Sequence, residues 1–147
     1  MMTSVTLTPV QGTDARLKDA LAASGLPIED LDYSDRSFFR ATNDDGDIVG
    51  YSGVEVCGGD MLLRSVVVLP KHRGEELGAM LVRETLASIS GKSAIYLATT
   101  SAASFFEKLG FVTIDRTKVP ADVLATQQLS SICPASATVM KLTRPPS

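Results

Sequence analysis

Between an apolar strand and a long amphipathic helix lies Arg73-Gly74-Glu75-Glu76-Leu77-Gly78, a loop built to hold a phosphate group. The first turn of a helix presents backbone N–H groups with no intrahelical partner, and the peptide dipoles make that end positive. Gly74 and Gly78 let the backbone come close to a phosphate oxygen, and Arg73 adds a charged donor. Together with Leu77 and Ala79 they make a pyrophosphate cradle of backbone donors. The spacing excludes two rivals, since it contains neither the Gly-Lys-Ser/Thr of a P-loop nor the Gly-x-Gly-x-x-Gly of a dinucleotide fold.

Glu75 and Glu76 have two readings. Facing a pyrophosphate they weaken its binding; facing solvent they stabilise the helix N-terminus by a few tenths of a kcal/mol, and we carry the second forward. Arg64 is a lone cation in the apolar run Met61 to Leu69, where an unpaired charge is costly. It either holds a substrate carboxylate bidentately or pairs with an internal acid such as Glu55 or Asp60. His72 is the only histidine, which argues against a His-based metal cluster and a serine-hydrolase triad. Beside Arg73 it reads as a loop-surface residue. Cys57 and Cys133 lie far apart without metal-ligand spacing and read as buried small hydrophobes in a reducing compartment. No metal is expected.

The elements that must position these groups follow from periodicity. Val5-Thr6-Leu7-Thr8 alternates as a strand, and Thr13 or Asp14 caps a helix that buries Leu17, Ala20 and Leu21 and ends at Gly25. Pro27 to Ser37 is acidic and without period, a loop or short helix. Phe38 to Ala41 and Ile48 to Val56 flank the turn Asn43-Asp44-Asp45-Gly46, a hairpin signal. A turn at Gly58-Gly59-Asp60 leads to Met61–Leu69, whose continuous apolar character places it at the centre of a sheet. Pro70 ends that strand. The following helix buries Leu77, Met80, Leu81, Thr85, Leu86 and Ile89 and stops at Gly91. Ala94 to Ala98 is a buried strand, Thr100 or Ser101 caps a short helix ending at Leu109-Gly110, and Phe111 to Ile114 is a strand. Pro120 opens a helix through Leu129, and Thr138 to Leu142 is the last strand. The order β-α-β-β-β-α-β-α-β-α-β predicts a mixed α/β fold, a sheet with helices on its faces.

With 147 residues and no repeat or linker, the chain reads as one domain, 1–147. Fourteen basic and 17 acidic side chains give a net charge of −3 without a basic stripe, so nucleic acid is not an expected partner. No apolar run approaches the ~20 residues of a membrane span, and Met1 to Gln11 lacks the pattern of a secretory signal, so a cytoplasmic location away from membranes is expected.

The loop, the strand Leu63 to Pro70 before it, and Ser104-Phe105-Phe106-Glu107-Lys108-Leu109-Gly110-Phe111 resemble the GNAT acyltransferase superfamily, whose loop motif is Arg/Gln-x-x-Gly-x-Gly/Ala. The likeness is good from about Gly50 onward and rests on strand order before it. It implies a GNAT fold with a mixed sheet of six to seven strands, and acetyl-CoA as co-substrate. Cofactor contacts would come from Val66, Val67 and Val68, from Arg73 through Ala79 (Glu75 and Glu76 included), and from Thr100 and Phe105. Leu62 to Val68, Phe105-Phe106 and Ser131 to Ala137 are similar to the arsenic-resistance N-acetyltransferase group, and more loosely to N-acetylglutamate synthase domains. This implies a small, amino-acid-like amine substrate, with Arg64, Ser65 and Ser136 on the substrate side.

Two departures stand out. Many members carry a central-strand Glu as base and a Tyr before Glu-Lys-Leu-Gly-Phe as acid, where this chain has Leu62 and Phe106. Glu55 would replace the base through a bridging water; its other reading is an ordinary solvated strand glutamate. The sequence therefore supports an acetyl-CoA-dependent N-acetyltransferase acting by direct attack, with a non-catalytic acyl-CoA-binding module as the alternative, and leaves open whether the chain forms a homodimer.

Overall fold

In the computed structural model, side-chain chemistry accounts for the first elements. Strand β1 is Thr6–Val10 and helix α1 is Ala15–Ala23. Asp14 caps α1, its carboxylate accepting from the Leu17 N–H at 3.0 Å and from Arg40 Nη2 at 3.0 Å. The Leu17 bond foremost, and the Arg40 charge after it, hold the Asp14 carboxyl below its usual range. Gly25, at φ 72°, follows the helix in the left-handed region expected of a terminating glycine. The structure describes residues 5–26, 28, 36–57, 59–72, 77–89, 94–99, 102–124 and 137–143.

Strand β2 (Arg36–Thr42) and strand β3 (Ile48–Cys57) flank the expected turn, where the Asn43 side chain accepts from the Asp45 and Asp47 N–H groups, both at 3.0 Å. Strand β4 is Asp60–Val68, and a short 3-10 helix, Pro70–His72, follows it. Helix α2 is Leu77–Ser88, strand β5 Ala94–Thr99 and helix α3 Ala103–Glu107. Strand β6 (Val112–Thr113), a 3-10 helix (Arg116–Lys118), helix α4 (Ala121–Leu124) and strand β7 (Thr138–Thr143) complete the order. The sheet has seven strands in the order β1-β2-β3-β4-β5-β7-β6, which sets β4 at its middle, as its apolar run requires. It is mixed: β4 pairs with β5 in parallel, while β1–β2, β5–β7 and β6–β7 are antiparallel.

The chain divides into two compact units, Met1–Val54 with Ser65–Ser90, and Glu55–Arg64 with Gly91–Ser147. In the first, Leu17 and Leu21 of α1 pack with Phe38, Tyr51 and Val67, while Leu77 and Leu81 of α2 pack with Val5, Ala41 and Val49 and border Val66 and Val68. Successive residues of a strand point to opposite faces, so Val67 and its two neighbours place α1 and α2 on opposite sides of β4. In the second, Cys57, Leu62, Tyr96, Val119, Val123 and Val139 form the core.

Several expectations needed correction. The N-cap position of α3 is Ala102, which makes no side-chain cap bond and whose N–H is taken by the Thr99 hydroxyl at 3.0 Å; Thr100 and Ser101, the caps expected, lie outside the described residues. The strand expected over Phe111 to Ile114 shortens to Val112–Thr113, since Phe111 is buried against Phe106, their ring centroids 5.7 Å apart. Val82 joins the buried stripe of α2, whereas Leu86 and Ile89 are only half-buried. The segment 29–35, the Gly91 stop, residues 125–129 of the expected helix and Cys133 lie outside the described residues.

Candidate active site

Strand β4 changes character at Ser65. Near its start it pairs in parallel with β5, Met61 opposite Ile95 and Leu62 opposite Tyr96. Ser65 then has φ 58°, a left-handed conformation that a side chain bearing a Cβ adopts only when its surroundings hold it there. Such an interruption re-aims the backbone groups after it. The residues that follow are Val66, Val67 and Val68, of which Val67 is buried and the others half-buried. The Leu69 N–H donates to the Val49 carbonyl at 2.8 Å, and the 3-10 helix closes with His72 N–H on the Leu69 carbonyl at 2.8 Å. That turn folds His72 inward to 8% exposure, contrary to the surface position expected of it.

Leu77, Gly78 and Ala79 then form the first turn of α2, Leu77 buried and the other two half-buried. The first unit thus brings together two of the expected cofactor segments, Val66–Val68 and Leu77–Ala79, with Val66, Val68 and Leu77 in one apolar cluster. Arg73, Gly74, Glu75, Glu76, Thr100 and Ser136 lie outside the described residues. Among the described residues from Ser65 to Ala79, Lys71 is exposed to solvent. First-turn N–H groups and a glycine are a donor set that suits an anionic phosphate.

In the second unit the lone strand cation finds its partner. Arg64 Nη1 lies 3.0 Å from Glu55 Oε1, with the two side chains 1% and 4% exposed. Burial explains the pairing, because an isolated charge inside a protein is far costlier than a charge-assisted hydrogen bond. It also overturns the picture of Glu55 as a solvated strand residue. Asp60, the other acid considered for Arg64, instead accepts from the Ala94 N–H at 3.2 Å. Phe105 is half-buried on α3 and meets the buried Phe106 edge to face, 5.0 Å between centroids. Phe106 and Leu62, at the positions where a Tyr acid and a Glu base were sought, are both buried and apolar.

Sequence reasoning missed one buried polar contact. Ser52 Oγ lies 2.6 Å from Thr85 Oγ1, and both residues are fully buried. Its only trace in the sequence is a Thr inside the apolar stripe of α2 and a Ser between Gly50 and Gly53 on β3.

The sequence model of the acetyltransferase (GNAT) domain family matches residues 34–113, more than half of the chain. No protein of curated function matches it by sequence. Three solved structures show the same fold at low identity. Rv2747 from Mycobacterium tuberculosis, in complex with CoA and NLQ, is 18% identical with a TM-score of 0.68, covering 95% of this chain and 99% of that one. An acyl-CoA N-acyltransferase from Pseudomonas aeruginosa is 17% identical with a TM-score of 0.66, over 95% and 100% of the two chains. N-acetylglutamate synthase from Neisseria gonorrhoeae, complexed with coenzyme A and N-acetyl-glutamate, is 13% identical with a TM-score of 0.65, covering 94% of this chain and 35% of that one.

Proposed function

Because the chain belongs to the GNAT acetyltransferase family, we propose that it transfers an acetyl group from acetyl-CoA to the amine of a small, amino-acid-like substrate, with residues 1–147 acting as one domain. The observation that carries this reading is the sequence of backbone forms in the first unit: left-handed Ser65, the three valines, the 3-10 turn and the first turn of α2. Acetyl-CoA supplies the activated acyl group. Val66–Val68 would bind its pantetheine arm through backbone hydrogen bonds, and Arg73 through Ala79 its pyrophosphate, with Glu75 and Glu76 turned to solvent. Thr100 and Phe105 complete the contacts by resemblance to the family.

The acceptor side rests on Arg64, which immediately precedes Ser65 on β4. Its guanidinium would recognise a substrate carboxylate, and Glu55 fixes its orientation through the 3.0 Å bond. Ser65 and Ser136 would contribute hydroxyls. The amine attacks the thioester carbon directly: the C–N bond forms, the C–S bond breaks and the thiolate leaves. The ammonium proton passes to Glu55 through a water, and a β4 N–H stabilises the charge that develops on the carbonyl oxygen. Without an acid at Phe106, the departing thiolate takes its proton from solvent. The likeness to the arsenic-resistance group and the N-acetylglutamate synthase fold both favour an acceptor carrying a carboxylate.

The test is thiol release from acetyl-CoA over a panel of amines with and without a carboxylate. Turnover confined to, or strongly favouring, amino-acid-like amines supports the reading. Saturable acetyl-CoA binding with no turnover on any amine contradicts it and leaves a non-catalytic binding module.

A further inference from the structure

Helix α2 touches β3 at two points that are in step with each other. A Cβ built on Gly50 would run into the Val67 carbonyl oxygen and come within 3.3 Å of Leu81 Cδ2, so the glycine is what lets the helix and β4 approach there. Two residues further along β3, Ser52 Oγ meets Thr85 Oγ1 at 2.6 Å, four residues further along α2. Two strand residues advance ~6.6 Å and four helix residues ~6 Å. The contacts Gly50–Leu81 and Ser52–Thr85 therefore define one axial register of helix on strand.

The protons in this contact are ordered. Thr85 Oγ1 lies 2.7 Å from the Leu81 carbonyl, which can only accept, so the Thr85 hydrogen goes there. Ser52 must then donate to Thr85. The pair is buried, and a slip of the helix by one residue would strand the Ser52 hydroxyl, whereas Thr85 would keep its bond within the helix. Apolar contacts between Leu77, Leu81 and Val49 tolerate sliding far better than this bond does.

We propose that Ser52 and Thr85 are positioning residues: they lock the axial register of α2 and so set where the Leu77–Ala79 N–H groups stand for the pyrophosphate. The inference rests on the acyl-CoA reading of that helix terminus, and its test separates the two. Calorimetric titration with acetyl-CoA is run on the full chain and on Thr85→Ser, Thr85→Val and Ser52→Ala, with amide exchange measured at Leu77, Gly78 and Ala79. Thr85→Val keeps the shape and removes the lock; the free helix can then shift to relieve the Ser52 hydroxyl, and binding must draw it back, so Kd should rise about tenfold. Thr85→Ser keeps the hydroxyl and should stay within about threefold of the parent, a rescue that a role in packing alone would not give. Wild-type affinity in Thr85→Val overturns the proposal. Should that variant not fold, Ser52→Ala decides in its place: a rise of about threefold or more supports the lock and an unchanged Kd overturns it. If the parent itself does not bind acetyl-CoA, the cradle reading fails instead. The lock is then judged by exchange alone, faster at Leu77–Ala79 in the variant than in the parent supporting it, and unchanged overturning it.

Discussion

At the scale of single residues, the pair Arg64–Glu55 is the most informative. The sequence makes Arg64 conspicuous because a charge in the run Met61 to Leu69 must be compensated, yet it offers a substrate carboxylate, Glu55 and Asp60 as partners and favours the first. The choice is made in three dimensions: β3 ends at Cys57 and β4 begins at Asp60, Arg64 reaches back to Glu55, and Asp60 binds the Ala94 N–H instead. Arg64→Met removes a cation from a buried carboxylate and should lower stability by about 3–5 kcal/mol in denaturant unfolding, whereas Glu55→Leu combined with Arg64→Met should recover most of the loss. On turnover, Arg64→Met should raise KM for a carboxylate-bearing acceptor while leaving KM for a carboxylate-free amine within about twofold. Equal KM changes for both acceptors would assign the arginine to the fold alone.

At the scale of elements, periodicity and capping were legible and local backbone form was not. Asp14, Gly25 and the Asn43–Gly46 turn announce themselves by residue type, and the structure uses each as expected. Ser65 carries no such signal, because nothing in Leu-Arg-Ser-Val-Val distinguishes a left-handed serine from an ordinary strand residue. Its φ of 58° is a tertiary feature that the local sequence does not announce. His72 shows the same limit, since a three-residue 3-10 turn has no period to read. Ser65 makes the account testable without any ligand. A glycine adopts φ near +60° without steric cost and a β-branched residue does so poorly. Ser65→Gly should therefore hold or raise stability by up to about 1 kcal/mol, and Ser65→Val should lower it by about 1–2 kcal/mol, read from the denaturant midpoint at constant m. The opposite order would mean that the strand does not use this conformation in solution.

At the scale of the whole molecule, the succession of elements followed from the sequence and the strand order did not. Apolar runs, turns and helix stripes lie in the chain within a few residues of one another. The insertion of β7 between β5 and β6, by contrast, is a pairing of Thr138–Thr143 with Ala94–Thr99, some forty residues apart. The family match, over residues 34–113, likewise spans both sequence signatures and leaves the last strand to the fold. What unites these features is the claim that β4 after Ser65 and the start of α2 form an acyl-CoA site. Amide-resolved NMR of the full chain titrated with acetyl-CoA tests it most directly. The account predicts saturable shifts, with a Kd below about 1 mM, concentrated at Val66, Val67, Val68, Leu77, Gly78 and Ala79. Saturation with shifts confined to other residues, or no shifts at millimolar acetyl-CoA, would contradict it.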